Sequence, residues 1–380
     1  MKKSKKIIII GRYVATFGGA HKYLGSLNKR LIDAGNSVWI GMNITEANAQ
    51  FVGELQAAGA TVFELPFDAR PALENALVLD REIADIGPDV IDCEVAAHVV
   101  RDTILLSEGF RSSPAKKIFT MHLAIKSEKL PESIYDKYFP WSPWNKSLGR
   151  LRRFLGCFDS GISVSDYHAA RVSKILKIQP EFFTFIANGV DVAEFPVVQR
   201  DAEKDKVVIG GCGSLSTQKR FDLLISATKE LVKAGMSLEC RIAGEGPERE
   251  KLEAQIRELG LSEIVRLEGH CSDVPTFLQQ LDIFVMCSDN EGFPYAQLEA
   301  MASGLPSVVT QVGDLPILVE HQRQGFVVER RNVTSLVTSL ESLTRDGNLR
   351  LKYGREAREK IERDFDADHQ EQLTLNYFVS

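Results

Sequence analysis

Two glutamates eight residues apart, Glu291 and Glu299, stand in the run SDNEGFPYAQLEAMASGLPSVV at residues 288–309. Carboxylates at this spacing can serve one ligand at two places, one at the mouth of a helix and one further along. The run reads as strand end, tight loop, helix and next strand. Gly292 permits a backbone shape that other residues resist. Pro294 suits a first helical position, because its missing N–H would be unpaired there anyway. Gly304 and Pro306 stop the helix near Ser303. Glu291 is therefore expected on the loop before the helix, and Glu299 inside it, a little over one turn on. The exposed N–H groups of the helix mouth suit an anion such as a phosphate.

The elements that must hold this run alternate. Strands are expected at 7–10, 38–40, 61–65, 90–93, 117–120, 161–165 and 183–186, with helices near 20–34, 46–58 and 71–86 between them. After a polar stretch around Pro196 the alternation restarts. Strands are expected at 207–212, 238–243, 265–268, 283–288, 306–310 and 325–328, with helices at 220–234, 248–259 and from 333 onward. Strand–helix alternation implies parallel sheets covered on both faces. A chain of 380 residues is too long for one typical core. The expected class is α/β, with two Rossmann-like doubly wound parallel-sheet domains facing across a cleft. The first domain is assigned to 1–192 and the second to 193–360.

Open parallel sheets bind ligands beyond the carboxyl ends of their strands, and further candidates stand at such loops. Gly18 and Gly19 follow the first strand, where a glycine pair lets the backbone approach a diphosphate; a plain tight turn fits the same residues. Lys219, with Arg220 beside it, precedes a helix start, where a cation opposes the helix dipole unless an anion answers it. His122 ends the strand IFTMH. No GxGxxG motif is present, which weighs against a nicotinamide cofactor. No DxD pair or His/Cys set has ligand spacing, so neither metal nor cofactor is expected.

Composition narrows the class. Hydrophobic residues make up 44% and charged residues 26%, and the net charge is −6. These suit a globular protein and argue against general nucleic-acid affinity. The six cysteines, Cys93, Cys157, Cys212, Cys240, Cys271 and Cys287, form no CxxC pair and read as buried thiols of a reducing compartment. The apolar stretch of MKKSKKIIII ends at Gly11 and reads as a strand rather than a signal peptide. A cytoplasmic location is expected. One segment hints at more. Residues 138–158 carry Trp141 and Trp144 before Lys146, Arg150, Arg152 and Arg153, with Leu148, Leu151, Leu155 and Phe158 at near-helical spacing. That pattern fits an interfacial helix on an anionic inner leaflet, and equally a core-facing helix with solvated arginines.

The run around Glu291 and Glu299 resembles the signature of the retaining, nucleotide-sugar-dependent glycosyltransferases of group 1, which have the GT-B architecture. The segments at 186–191, 241–250 and 312–320 extend the resemblance. It implies a transferase moving a sugar from a nucleotide-diphosphate donor, with a UDP-sugar favoured over a GDP-sugar. The implied acceptor is a glycan or lipid-linked precursor of a bacterial surface polysaccharide. Glu291 would lie beside the donor sugar, with Gly292 and Phe293 next to it. Glu299 would bind the ribose, Lys219 the diphosphate, and His122 the sugar near its reacting carbon. Gly18 and Gly19 would lie close to the donor phosphates. The final helix, 361–380, would pack back on the first domain. Two positions depart from the pattern. Ser214 stands where the family has an arginine, which shifts phosphate binding toward Lys219 and Arg220, and Ile317 stands where a glutamate is usual. A sugar-nucleotide epimerase or phosphorylase on the same architecture, and a non-catalytic nucleotide-sugar-binding protein, are the alternatives.

Overall fold

The structure, a computed structural model, describes residues 4–11, 19–67, 69–94, 98–122 and 143–380. The chain divides into two compact units, one of Met1–Ala187 with Glu371–Ser380 and one of Asn188–Gln370.

In chain order the first unit contains β1 (Lys6–Ile10), α1 (Gly19–Asp33), β2 (Ser37–Met42), α2 (Ala49–Ala57), β3 (Thr61–Glu64) and α3 (Ala72–Ile86). It continues with β4 (Val90–Cys93), α4 (His98–Leu106), α5 (Glu108–Ser112), β5 (Lys116–Met121), α6 (Pro143–Leu155), β6 (Ser160–Ser163), α7 (Asp166–Leu176) and β7 (Phe183–Phe185). The strands form one sheet in the order β3-β2-β1-β4-β5-β6-β7, every pairing parallel. The isoleucine run of β1 shows why. Successive side chains of a strand point to opposite faces. Ile8 and Ile10 enter the core with Leu79 and Phe119, while Ile7 and Ile9 enter the other with Leu24 and Leu31. A strand apolar on both faces needs a layer of helices on each.

The second unit contains β8 (Val207–Cys212), α8 (Phe221–Lys233), β9 (Leu238–Ala243), α9 (Arg249–Glu258), β10 (Val265–Gly269), α10 (Val274–Gln279) and β11 (Ile283–Met286). There follow α11 (Tyr295–Ala302), β12 (Ser307–Thr310), α12 (Leu315–Leu318), β13 (Gly325–Val328), α13 (Val333–Arg345) and α14 (Gly347–Asp364); α15 (Ala367–Val379) starts in this unit and from Glu371 belongs to the first. Its parallel sheet has the order β10-β9-β8-β11-β12-β13. The strand order reverses between β8 and β11, as it does between β1 and β4 in the first unit. Such a reversal opens a crevice at the carboxyl ends of the two central strands.

Several elements differ from the sequence reading. The helix expected at 46–58 starts as a 3₁₀ turn, Glu46–Asn48. Helices α4, α5, α7 and α10 join it; the strand expected at 161–165 ends at Ser163, because Ser165 is the N-cap of α7, its hydroxyl accepting from the His168 N–H. The units meet between Ala187 and Asn188, ahead of the expected 192. The reason is that 188–190 are built into the second unit. Asn188 Nδ2 donates to the Phe293 carbonyl at 2.7 Å. The Val190 N–H donates to Phe365 O, and the Ala367 N–H to Val190 O, both at 3.1 Å. That same pairing breaks the segment 361–380, which is not one helix: α14 ends at Asp364 and α15 begins at Ala367.

Residues Glu371–Ser380, which include most of α15, are held in the first unit by several contacts. Arg30 forms an ion pair with Glu371 at 2.8 Å. Tyr377 Oη donates to Gly161 O at 3.1 Å, and Lys116 Nζ donates to Tyr377 O at 2.7 Å. Phe378 is wholly buried beside Ile7 and Ile9. All six cysteines are free, and Cys93, Cys240 and Cys287 are buried. Burial pushes the Cys240 thiol up to about 12, which makes it unreactive. No helix among the described residues is long and apolar enough to cross a membrane.

Phe378→Ala is expected to cost about 3–5 kcal/mol through the cavity it leaves. Urea denaturation would read this as a lower midpoint; an unchanged midpoint would mean that α15 does not anchor the first unit.

Candidate active site

The crevice of the second unit brings two of the candidate residues into contact. Lys219 comes from the loop after β8, and Glu291 from the loop after β11. Lys219 Nζ lies 2.7 Å from Glu291 Oε1, with the two side chains only 19% and 7% exposed. Taking an ion pair out of water is costly unless further hydrogen bonds satisfy it. Ser288 Oγ supplies one, donating to the same Glu291 oxygen at 2.5 Å. Thr310 Oγ1 in turn donates to Ser288 O at 2.6 Å. The loop after β12 closes over the main chain here. Gly313 has φ of +52°, and a Cβ on it would stand 2.0 Å from Glu291 O. Only glycine fits both the left-handed backbone and this approach.

Glu299 is buried on α11. The loop after β10 lies near enough that the Glu299 charge helps raise the Cys271 thiol, although burial is the larger cause. Pro294 is the N-cap of α11 rather than its first helical residue, with φ −75° and ψ 127°. Its extended backbone delays the helix by one position. The Gly292 carbonyl accepts from the Asp314 N–H at 3.4 Å. Phe293 is buried, with its ring 5.1 Å from that of Phe365. What Phe293 offers a ligand is therefore main chain.

Arg220 is paired with carboxylates, as Lys219 is. Its guanidinium meets Asp222 at 2.8 and 2.9 Å and Asp289 at 3.4 Å. Arg331 joins from beyond β13, donating to the Asp289 carboxylate at 2.7, 2.9 and 3.1 Å. Arg220, Asp289 and Arg331 line an open pocket of about 410 Å³ together with Ser216, Thr217 and Lys251. Sequence reasoning missed Ser288, Asp289 and Arg331. Ser288 and Asp289 open the run around Glu291, but nothing in the spacing points to Arg331, some 40 residues downstream. Ser214 Oγ lies 3.3 Å from Ser216 Oγ and supplies no charge.

His122 belongs to the first unit, directly after β5. Its Nε2 lies 3.7 Å from Glu94 Oε2, and its ring packs edge-on against Tyr23 at 4.4 Å. Asp92, on β4, is wholly buried and accepts from Thr120 Oγ1 at 2.8 Å. Burial first, and then the Glu94 charge, hold the Asp92 carboxyl well above its usual range. Gly19 opens α1, whereas Gly18 lies outside the described residues. Among the described residues no three His, Cys, Asp or Glu side chains are grouped to hold a metal ion.

Helix α6 answers the interfacial-helix expectation. Trp141 lies outside the described residues, and Trp144 and Lys146 are described by main chain alone. Leu151, Phe154 and Leu155 are buried in the core with Phe119. Arg152 Nε donates to Leu176 O at 3.0 Å, capping the end of α7. Arg150 lies 3.5 Å from Asp102, and Arg153 is exposed. Among the described side chains of α6, the apolar Leu151, Phe154 and Leu155 thus face the protein's own core.

The chain is similar to known glycosyltransferases. The sequence model described as Glycosyl transferases group 1 matches residues 194–360, and that described as Glycosyltransferase Family 4 matches 17–194. A glycosyltransferase of Escherichia coli K12, named for colanic acid biosynthesis, is 29% identical over 216 residues, covering 54% of this chain and 53% of its own. The Escherichia coli UDP-Gal:alpha-D-GlcNAc-diphosphoundecaprenol alpha-1,3-galactosyltransferase is 29% identical over 185 residues, covering 46% of this chain and 48% of its own. The chain thus spans about half the length of the curated relatives it matches. The crystal structure of Anabaena Alr3699/HepE in complex with UDP-glucose superposes with a TM-score of 0.78 at 19% identity, covering 98% of this chain and 99% of that one.

The Asp289 network carries a pH signature. Burial by itself would raise the Asp289 pKa, but the Arg331 and Arg220 guanidiniums more than offset it and hold the carboxyl below its ordinary value. A depressed folded pKa contributes stability that is present above the unfolded value, roughly pH 4, and is lost as pH falls through the folded value. The melting-temperature gap between wild type and Asp289→Asn should therefore be constant from neutral pH to about pH 5 and narrow below about pH 4. A gap independent of pH down to the acid limit would contradict the assignment.

Proposed function

The chain belongs to the glycosyltransferases of GT-B architecture that carry the group 1 signature, and from that premise we propose that it transfers a sugar from a nucleoside-diphosphate donor to a glycan or lipid-linked acceptor in bacterial surface-polysaccharide synthesis. The observation that carries the proposal is the sheltered Lys219–Glu291 pair at the β8/β11 crevice, with Glu299 buried on the helix that follows. A diphosphate needs a cation and hydrogen-bond donors. Lys219 supplies the first, and the main-chain N–H groups at the mouth of α11 supply the second. A ribose needs an acceptor for its hydroxyls, the role we give Glu299.

In the resting protein the Lys219 charge is met by Glu291. A bound diphosphate competes for Lys219 and leaves the Glu291 carboxylate to face the sugar. The bond from the anomeric carbon to the diphosphate oxygen then breaks through an oxocarbenium-like state, which a nearby carboxylate stabilises. The acceptor oxygen bonds to the same carbon, and its proton leaves on the departing diphosphate. Departure and attack on one face retain the configuration. Lys219 and the N–H groups meet the phosphate charge, so we propose that transfer continues in EDTA. We keep for His122 the donor-sugar contact that the resemblance implies. A uridine donor is favoured because one structural relative is captured with UDP-glucose and one sequence relative is named for UDP-galactose.

A thermal-shift panel of UDP- and GDP-sugars tests the donor. A ligand at a hundredfold its Kd stabilises by about 2.7 kcal/mol, and this shift should vanish in Glu299→Ala. No shift with any nucleotide sugar would overturn the reading. Glu291→Gln should keep donor binding while lowering kcat by about 10²–10³-fold, the scale of losing one aligned electrostatic group. Near-normal transfer by this variant would remove Glu291 from the mechanism.

A further inference from the structure

We infer that Asp289 is a positioning residue for Glu291, clamped between Arg220 and Arg331; the inference rests on the proposed role of Glu291. Asp289 is mostly buried, two residues before Glu291. Arg331 meets its carboxylate with both Nε and Nη2, and Arg220 approaches the same group from the opposite loop. The main chain is laced as well. The Asp289 N–H donates to Gln218 O at 2.8 Å, and Gln218 Nε2 donates to Asn290 O at 2.7 Å. Arg330 Nη1 adds a bond to Asp289 O at 3.2 Å. Gln218 directly precedes Lys219, and Asn290 directly precedes Glu291. The lacing therefore sets the two members of the ion pair opposite each other.

The backbone of the two arginines supports this reading. Arg220 has φ of +52° and Arg331 of +60°. A side chain in this left-handed region costs about 1–2 kcal/mol, which glycine avoids. Glycine, however, has no guanidinium to reach Asp289. At both positions the chain keeps an arginine in the strained conformation; Arg331 reaches the Asp289 carboxylate with two nitrogens, and Arg220, held chiefly by Asp222, reaches it with one at 3.4 Å. A buried carboxylate with two cations resists displacement from either side. That stiffness suits a loop whose next acidic residue must hold its place when a diphosphate draws Lys219 away.

The test compares wild type, Asp289→Asn, Glu291→Gln and the double variant for transfer from whichever UDP-sugar gives the largest thermal shift. Amide hydrogen exchange is followed at 288–292. Asp289→Asn keeps the shape and removes the charge. It should lower kcat by about ten- to a hundredfold, the cost of a small misplacement, leave donor KM within about twofold, and speed exchange in the loop. The double variant should be no slower than Glu291→Gln, because Asp289 acts through Glu291. Losses that multiply in the double variant, or a wild-type rate for Asp289→Asn, would overturn the inference. Were Glu291→Gln to keep the wild-type rate, the role of Glu291 would fall, and the exchange would decide the clamp alone: unchanged exchange in Asp289→Asn refutes it. Should Asp289→Asn not fold, Arg331→Lys reads the same coupling, since lysine keeps the charge and loses the two-pronged contact.

Discussion

The second unit is organised around a charge pair that water barely reaches. Lys219 and Glu291 stand 2.7 Å apart with little exposure, and such a pair is stable only where its surroundings are fixed. Each constraint on it comes from a different strand end. β8 delivers Lys219 and β11 delivers Glu291. β12 contributes Thr310, which holds Ser288, and the loop beyond it contributes Gly313, which lies against the Glu291 carbonyl. The parallel sheet makes this convergence cheap, because all six carboxyl ends point the same way. The reversal of strand order at β8 and β11 leaves room between their loops.

The pair also shows how one site can be stable when empty and reactive when filled. With no anion present, each charge satisfies the other. On the proposed function, an incoming diphosphate would change the partner of the lysine and not the position of the carboxylate, provided the loop bearing Glu291 is held independently. We propose the Asp289 network as that independent hold. It uses arginines, whose planar, permanently charged forks can bind a carboxylate at two points, whereas lysine binds as a single charge.

The first unit uses a buried acid differently. Asp92 lies inside the sheet and is held above the usual carboxylate range by burial and by Glu94. Glu94 stands within ion-pair distance of His122. Here too the titratable groups gather at strand carboxyl ends, β4 and β5. The core beneath them is aromatic, with Phe119, Phe154 and Phe158 in edge-on or tilted contact. That core draws in α6, which explains why its amphipathic pattern was open to two readings: a helix facing a core and a helix facing a bilayer have the same period.

The sequence by itself determined the α/β class, thirteen strands within a few residues of their ends, and the chain positions of Glu291, Glu299, Lys219 and His122 on loops or helices after strands. These are local properties, set by apolar runs, glycine and proline. It left short helices such as α5 and α10 unread, since they carry too few turns to show a period. Tertiary structure decided what no local signal encodes. It brought Arg331 across to Asp289, set Arg220 against Asp222 and Asp289, and sent the Phe293 ring into the core. It also split 361–380 at the Val190 pairing. Each of these depends on which strands become neighbours, and that order is fixed by how two apolar faces are covered at once rather than by any stretch of sequence read alone.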